Sequence, residues 1–563
     1  MEGEGFFALS ASPPRLRTDS GDLLFGDAYV RAPSGRSRMA LPEDFAGVCG
    51  GDIVGAQDDD RPPGVTRFWG RFVAVLNDAN AMRVVRDPSG AIPVFRARQS
   101  GVDLAFSDTA LAFDLGLDRL TIDWSYTAGR LVDNRLLTHR SGLGGVTELE
   151  PGAWVTFGAG LPKVRPFWSL GAVAARSARD HAGMTSGDAR NRLRHTLDDT
   201  VAALASEHAR VAVRLSGGFD SGVVLAALAG PRGPHIACYN MATPTAEGDE
   251  TAYARAMAAH VAAPFTVHRM DPARVDLRRY DVGGADAWRM RAARPPLWIA
   301  NQERDDAERR CVDATGASAV FSGRGGDNTF FRCEYVWPAV DRVRALGWSR
   351  ASIAYAFATA QRTGQSALGV LREAAARRTT PFPGLGVQAG LTDKARELAA
   401  LLYAPSTRPA LAPGKRWHVE LLDDRLNYID LAPAFDVIHP LVAQPVMEVC
   451  LETPSWLLAS GTRDRGLARD AFGDRLAPAL RDRRGKGRTS GYLNQVVWTN
   501  RDAISGWLEG GHLAQAQLLA PDTVRRMLRE SAVGRADGEA GDPIGWCGVE
   551  LWLRAAIDAG ASP

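Results

Sequence analysis

Val211-Ala212-Val213-Arg214-Leu215-Ser216-Gly217-Gly218-Phe219-Asp220-Ser221 sets a short apolar run against two glycines and a polar pair. The pattern reads as a buried strand, a tight turn and a helix opening at Ser221. Glycines at 217 and 218 let backbone N–H groups converge on an anion with no Cβ in the way. The helix that follows, through Val223, Leu225 and Leu228, turns its positive end to the same spot. About a hundred residues on, Val320-Phe321-Ser322-Gly323-Arg324-Gly325-Gly326-Asp327 repeats the arrangement. Either stretch alone is compatible with an ordinary turn. In this order they suggest an enzyme that opens ATP between its α and β phosphates.

The surrounding pattern predicts an α/β architecture. Strands at 211–215, 235–239 and 318–322 alternate with helices at 221–229, 251–262 and 298–312, which implies a doubly wound parallel sheet. Ligands of such sheets lie beyond the strand C-termini, where both glycine stretches fall. A helix over 187–208 is marked by Leu193, Leu197, Val201 and Leu204, and further helices are expected over 340–378, 388–403 and 546–559. Residues 530–543, rich in Gly, Asp and Ala, read as a mobile loop. Before about 170 the chain reads as short strands, at 5–9, 72–76, 82–85, 94–97, 102–106 and 154–157, separated by Gly, Pro, Asp and Asn turns. Pro162 and Pro166 mark the boundary, dividing the chain into 1–170 and 180–563.

Composition narrows the field. The 563 residues are 45% hydrophobic and 23% charged, as in a globular protein with a sizeable core. A net charge of +2 gives no field favouring nucleic acid. Six cysteines lack Cys-x-x-Cys spacing, so neither a zinc site nor a redox pair is expected, and scattered thiols suit a cytoplasmic protein. No run approaches the ~20 apolar residues of a membrane helix, and no secretory signal opens the chain. Lysine occurs only at 163, 394, 415 and 486.

These stretches resemble the asparagine synthetase family. SGGFDS (216–221) looks like its pyrophosphate loop and FSGRGGD (321–327) like its second nucleotide-side motif. FWGRFVAV (68–75) and RDPSGAIPVF (86–95) are similar to its N-terminal glutaminase-like α+β sandwich domain, and the C-terminal domain to its ATP-pyrophosphatase (PP-loop) sheet with added helices. HPLVAQPVMEVCL (439–451), WLLASGTRDRGLARDAF (456–472) and RRGKG (483–487) resemble the branch that makes macrolactams, the lasso peptide cyclases. Two departures matter. Glutamine-using members carry a cysteine after the initiator methionine, where this chain has Glu2 and its first cysteine is Cys49, so glutamine hydrolysis is not expected. Asparagine synthetases carry a glutamate where Arg324 stands, which argues against simple asparagine synthesis.

The resemblance implies ATP and Mg²⁺ as cofactors. Leu215, Ser216, Gly217, Gly218, Phe219, Asp220 and Ser221, with Ser322, Gly323 and Gly325, would cradle the pyrophosphate. Asp220 and Asp327 would hold Mg²⁺, which needs few carboxylates when phosphates supply other ligands. Without that role Asp220 is a helix N-cap and Asp327 a turn former. Lys486 matches the lysine that stabilises the charged transition state, the plain alternative being a solvated basic loop. Arg324 either clamps a substrate carboxylate or phosphate, or pairs with a structural acid. His439 and Glu448 either line a substrate channel or are packed loop residues. Asp249, Glu250 and Tyr253 open a helix as ordinary dipole partners, with a nucleotide role as the weaker alternative.

The expected reaction is adenylation of an Asp or Glu side chain of a precursor peptide, then attack by its N-terminal amine. A leader-binding protein and a leader peptidase are the implied partners. The competing readings are another amide-forming synthetase on the same scaffold, a nucleotide-binding interaction protein without turnover, and a tRNA-modifying pyrophosphatase, which near-neutral charge disfavours.

Overall fold

A computed structural model of the chain describes residues 13–563 apart from 20, 32–35, 50–62, 79–80, 109, 115, 118–119, 134–137, 159–160, 181–182, 231–232, 297, 377–389, 403–410, 429–434, 484, 486, 488 and 533–541. The strand expected at 5–9, most of the loop expected at 530–543 and the side chain of Cys49 lie outside the described residues.

The N-terminal part carries twelve described strands. These are β1 (Leu16–Arg17), β2 (Leu23–Arg31), β3 (Ser37–Met39), β4 (Trp69–Asp78), β5 (Ala81–Arg86), β6 (Phe95–Gln99), β7 (Val102–Phe106), β8 (Thr121–Ile122), β9 (Leu143–Gly144), β10 (Thr147–Glu148), β11 (Ala153–Phe157) and β12 (Lys163–Pro166). The main antiparallel sheet runs β1-β2-β4-β5-β11-β12, with β3 paired to β2, and a second sheet runs β10-β6-β7. β2 escapes the sequence pattern because Gly26-Asp27 reads as a turn, yet it is paired with β4 from Leu23 to Tyr29. β12 ends on Pro166 at the sheet edge, where no ladder partner needs its missing N–H. RDPSGAIPVF turns out to hold a buried polar knot. The Arg86 guanidinium, 0% exposed, donates to Glu148 Oε1 at 2.8 Å and to the carbonyls of Gly90, Ile92 and Leu149. Asp87 accepts from the Phe72 and Ser89 amides, and burial pushes its carboxyl up to about 6.

The second sheet of consequence is parallel throughout. β13 (Arg210–Arg214), β14 (His235–Ala242), β15 (Phe265–Arg269), β16 (Ala319–Ser322) and β17 (Asp436–Ile438) lie in the order β15-β14-β13-β16-β17. The order reverses between β13 and β16, so the chain leaves these neighbouring strands in opposite directions and opens a crevice at their C-terminal ends. β17, three residues long, gave no sequence signal. The helix Ser186–Ala205 starts on a Thr185–Asp188 capping box and buries Leu193, Leu197, Val201 and Leu204 in the core shared with β13 and β16. The region expected to be helical over 340–378 is three helices, Trp337–Leu346, Arg350–Thr363 and Ala367–Ala376, cut by Gly347 and Gly364 at φ of 71° and 70°.

The two sheet regions share apolar clusters. Tyr29 and Trp69 join the parallel-sheet core, and Trp168 packs with Val419 and Met447. Arg71 ties them electrostatically, donating to Asp27 at 2.6 Å and to both oxygens of Asp436 at 2.7 and 2.8 Å.

Lys415 is buried, its ammonium donating to the carbonyls of Cys450, Leu451 and Thr453 at the end of the helix Gln444–Glu452. Burial pulls this lysine down to about 7, from an ordinary value near 10.5. Between those values the unfolded chain binds more protons, so this group adds stability as pH rises through that window. In Lys415→Met, denaturant unfolding is expected to lose the part of the wild-type stability rise between pH 7 and 10 that this lysine supplies.

Candidate active site

The crevice holds a cavity of about 550 Å³ whose wall includes Ser216, Gly218 to Ser221, Ser322 to Asn328, Arg214, Arg304, Arg465, Arg469 and Arg483. The first loop is set by local geometry. Gly217 takes φ +85°, and a Cβ there would meet the Glu250 carbonyl oxygen at 2.5 Å. The amide of Gly218 and the Oγ of Ser221 are gathered on Ser216 Oγ at 3.2 and 3.1 Å. Leu215 is buried beneath, its carbonyl held by the Asn240 side chain at 2.8 Å. The helix begins at Phe219, two residues earlier than expected, with Gly218 as N-cap and no side chain over its end. Its first amides therefore face the cavity as an anion site.

The second loop locks into the first. A Cβ on Gly323 would lie 2.3 Å from the Ser221 nitrogen, and one on Gly326 would lie 2.4 Å from Asp220 Cγ. Neither glycine tolerates a side chain while the loops touch. Gly323→Ala is expected to cost about 1–3 kcal/mol of stability and to weaken ATP binding by roughly tenfold or more, read by calorimetry against Gly461→Ala. Gly461 has φ +70° but open space around its Cβ, so it reports backbone strain alone.

Asp220 and Asp327 come together on one guanidinium. Arg465 Nη1 donates to Asp220 Oδ2 at 2.7 Å and to Asp327 Oδ1 at 2.6 Å, while Asp464 pairs with the same side chain. Neither aspartate is an N-cap, since Gly218 and Gly325 fill those places. Brought together on one guanidinium, these two carboxylates are the residues that would hold a Mg²⁺ ion. No group of three His, Cys, Asp or Glu side chains among the described residues is placed to hold a metal alone. The pair therefore fits a cation that takes its other ligands from phosphates and water. Arg465 is buried at φ +54°, an unusual conformation for a residue other than glycine. No signal in the sequence singled it out, although it lies within the stretch 456–472.

Cations dominate the rest of the wall. Arg465 and Arg469 stand 5.4 and 4.7 Å from the Phe219 ring centroid. Arg214 is fixed by buried Glu308 at 2.5 and 2.8 Å. Arg324 stands 5.6 Å from the ring of Trp298, which is 51% exposed. Arg483 donates to the Gly217 carbonyl at 2.9 Å, pairs with Glu250 and stacks 4.3 Å from the Tyr253 centroid. The Gly487 amide also donates to Glu250 at 2.5 Å. Glu250 thus ties Arg483 and Gly487 to the first glycine loop, a positioning role beyond an ordinary dipole partner. Lys486 itself lies outside the described residues.

His439 and Glu448 separate. His439 Nδ1 is 2.7 Å from Ser322 Oγ, which also accepts from the Arg324 amide. The histidine stands behind the second loop and lines a different cavity of about 350 Å³ with Asp27, Arg71 and Asp436. Glu448 accepts from Trp168 Nε1 at 2.7 Å and Gln444 Nε2 at 3.0 Å, and lines neither cavity. Glu448 is thus held by Trp168 and Gln444 and stands apart from His439.

Fold and site define a nucleotide-binding α/β protein with interlocked loops suited to a polyphosphate. The asparagine synthase family matches residues 192–554, and the chain belongs to that family. No curated protein matches the chain. A solved structure described as the allosteric regulatory enzyme of purine biosynthesis is similar at 10% identity over 47% of this chain and 64% of its own, with a TM-score of 0.19. No helix among the described residues is long and apolar enough to cross a membrane.

Proposed function

We propose that this protein is an ATP-dependent, amide-forming ligase, a macrolactam synthetase of the lasso peptide cyclase kind, acting on a precursor peptide. A carboxylate oxygen of an Asp or Glu side chain attacks the α-phosphorus of ATP, and the bond to the β-phosphate oxygen breaks. Pyrophosphate leaves into the cradle of Ser216 to Ser221 and Gly323 to Gly325, where amides and the helix end offset its charge. Asp220 and Asp327 would hold a divalent ion there, whose charge would add to that neutralisation. The peptide's N-terminal amine then attacks the acyl carbon, AMP departs, and the amine proton passes to solvent. An α-amine has a pKa of about 8, so roughly a tenth is neutral near pH 7. Proximity to the adenylate then outweighs the need for a strong base.

The observation that favours a peptide over ammonia or a free amino acid is the Arg324–Trp298 pair. A half-exposed aromatic face with a guanidinium over it, at the rim of the nucleotide cavity, suits an extended chain bearing a carboxylate. A leader-binding protein and a leader peptidase that frees the amine complete the proposed pathway. Incubation of the chain with ATP and its candidate core peptide is expected to give a product lighter by one water, with AMP. Release of ADP, or AMP formation with free aspartate and ammonia but not with peptide, would contradict this reading.

A further inference from the structure

Among the described residues, five of the fifteen large hydrophobic side chains that stand exposed fall within 23 residues, Leu346, Trp348, Ile353, Phe357 and Leu368. None of them lines the nucleotide cavity. The helix Arg350–Thr363 buries Ser352, Ala356, Thr359 and Ala360 against a small core with Val336, Ala339 and Val370. Its opposite face is apolar as well. Ile353 and Phe357, 42% and 52% exposed, are one turn apart on that face, and Trp348 precedes the Ser349 N-cap. A staple between the residue before the cap and the fourth helical residue accounts for a contact of Trp348 with Ile353. It does not account for both remaining half exposed, nor for Phe357.

The charges and the small residues indicate what covers this face. From 342 to 372 the sequence holds arginines at 342, 344, 350, 362 and 372 and no aspartate or glutamate. Arg344 near the end of the helix Trp337–Leu346 and Arg350 at the start of the next are both exposed, and Ala354 and Ala358 stand on the helix beside Ile353 and Phe357. A second copy of this chain would bring arginines against arginines, which is repulsive. A bilayer rewards bulk pressed below its headgroups, whereas a ridge of alanines beside the bulky pair lets another helix approach closely. We infer that the outer face of the helix Arg350–Thr363 docks an acidic amphipathic helix of a separate protein, with apolar residues on Ile353 and Phe357 and carboxylates on the arginine rim. This inference is independent of the reaction catalysed.

The test is photo-crosslinking from Phe357→p-benzoylphenylalanine in the full chain, within the cell that produces it, with the captured peptide mapped by mass spectrometry. The same substitution at Ile353 serves if the first does not fold, judged by melting and ATP turnover. Capture of a net-acidic helical segment of another protein is expected, with a yield that falls at least tenfold in the Arg344→Glu/Arg350→Glu double variant. Capture of lipid, of this same chain or of a segment without net negative charge would overturn the inference. So would the absence of any capture, or a yield indifferent to charge reversal.

Discussion

Asp220→Asn and Asp327→Asn are each expected to lower the rate of AMP formation by roughly 10²- to 10³-fold while leaving the fold intact, since each removes a carboxylate that would hold the cation offsetting the charge of the departing diphosphate. The substitution keeps the shape of the side chain. The two positions differ in setting but share one partner, the Nη1 of Arg465, at 2.7 and 2.6 Å. In either variant that guanidinium keeps the other aspartate and Asp464, so no buried charge is stranded. Melting temperatures within a few degrees of wild type, with turnover lost, would separate a catalytic deficit from a folding one. If both variants turned over at the wild-type rate, the two carboxylates would be structural counter-ions of Arg465 and nothing more.

Arg86→Met is expected to have the largest effect on stability, about 3–5 kcal/mol, because it strands a partner in a dry site. Glu148 is 4% exposed and loses its 2.8 Å partner, keeping Arg294 at 3.5 Å, while the carbonyls of Gly90, Ile92 and Leu149 lose their donor. The Glu148→Leu/Arg86→Met double variant removes the stranded charge and should recover part of the loss, so that the two single effects do not add. Additive losses in urea unfolding would show that the pair does not act as a unit.

The same arginine illustrates how much the sequence disclosed. RDPSG was legible as a motif because glycine and proline punctuate it, yet its buried hydrogen bonds depend on Leu149 and Glu148, about sixty residues away. Local patterns carried the parallel sheet well. β13, β14 and β16 follow apolar runs, and their glycine exits are chemical requirements that leave a visible trace. The expected helix start at Ser221 was two residues late, because Gly218 caps the helix without a side chain and gives none of the usual Ser, Thr or Asp signal. β17 is too short to have a period, and β2 hides behind Gly26-Asp27. At the site, Asp220 and Asp327 could be paired from their motifs alone. Arg465 could not, because its role comes from a left-handed backbone and a long-range approach, neither of which has a local pattern. The Trp168 partner of Glu448 was likewise invisible, since it comes from a strand-rich region far away in sequence.

The central claim is that the two glycine loops form one polyphosphate cradle. A crystal structure with the α,β-methylene analogue of ATP and Mg²⁺ tests it most directly. The account predicts the β and γ phosphates on the amides of residues 216–221 and 323–325, with Asp220 and Asp327 at the cation and the Arg465 side chain turned off their oxygens. A triphosphate seated elsewhere, with Arg465 still holding both aspartates, would contradict it.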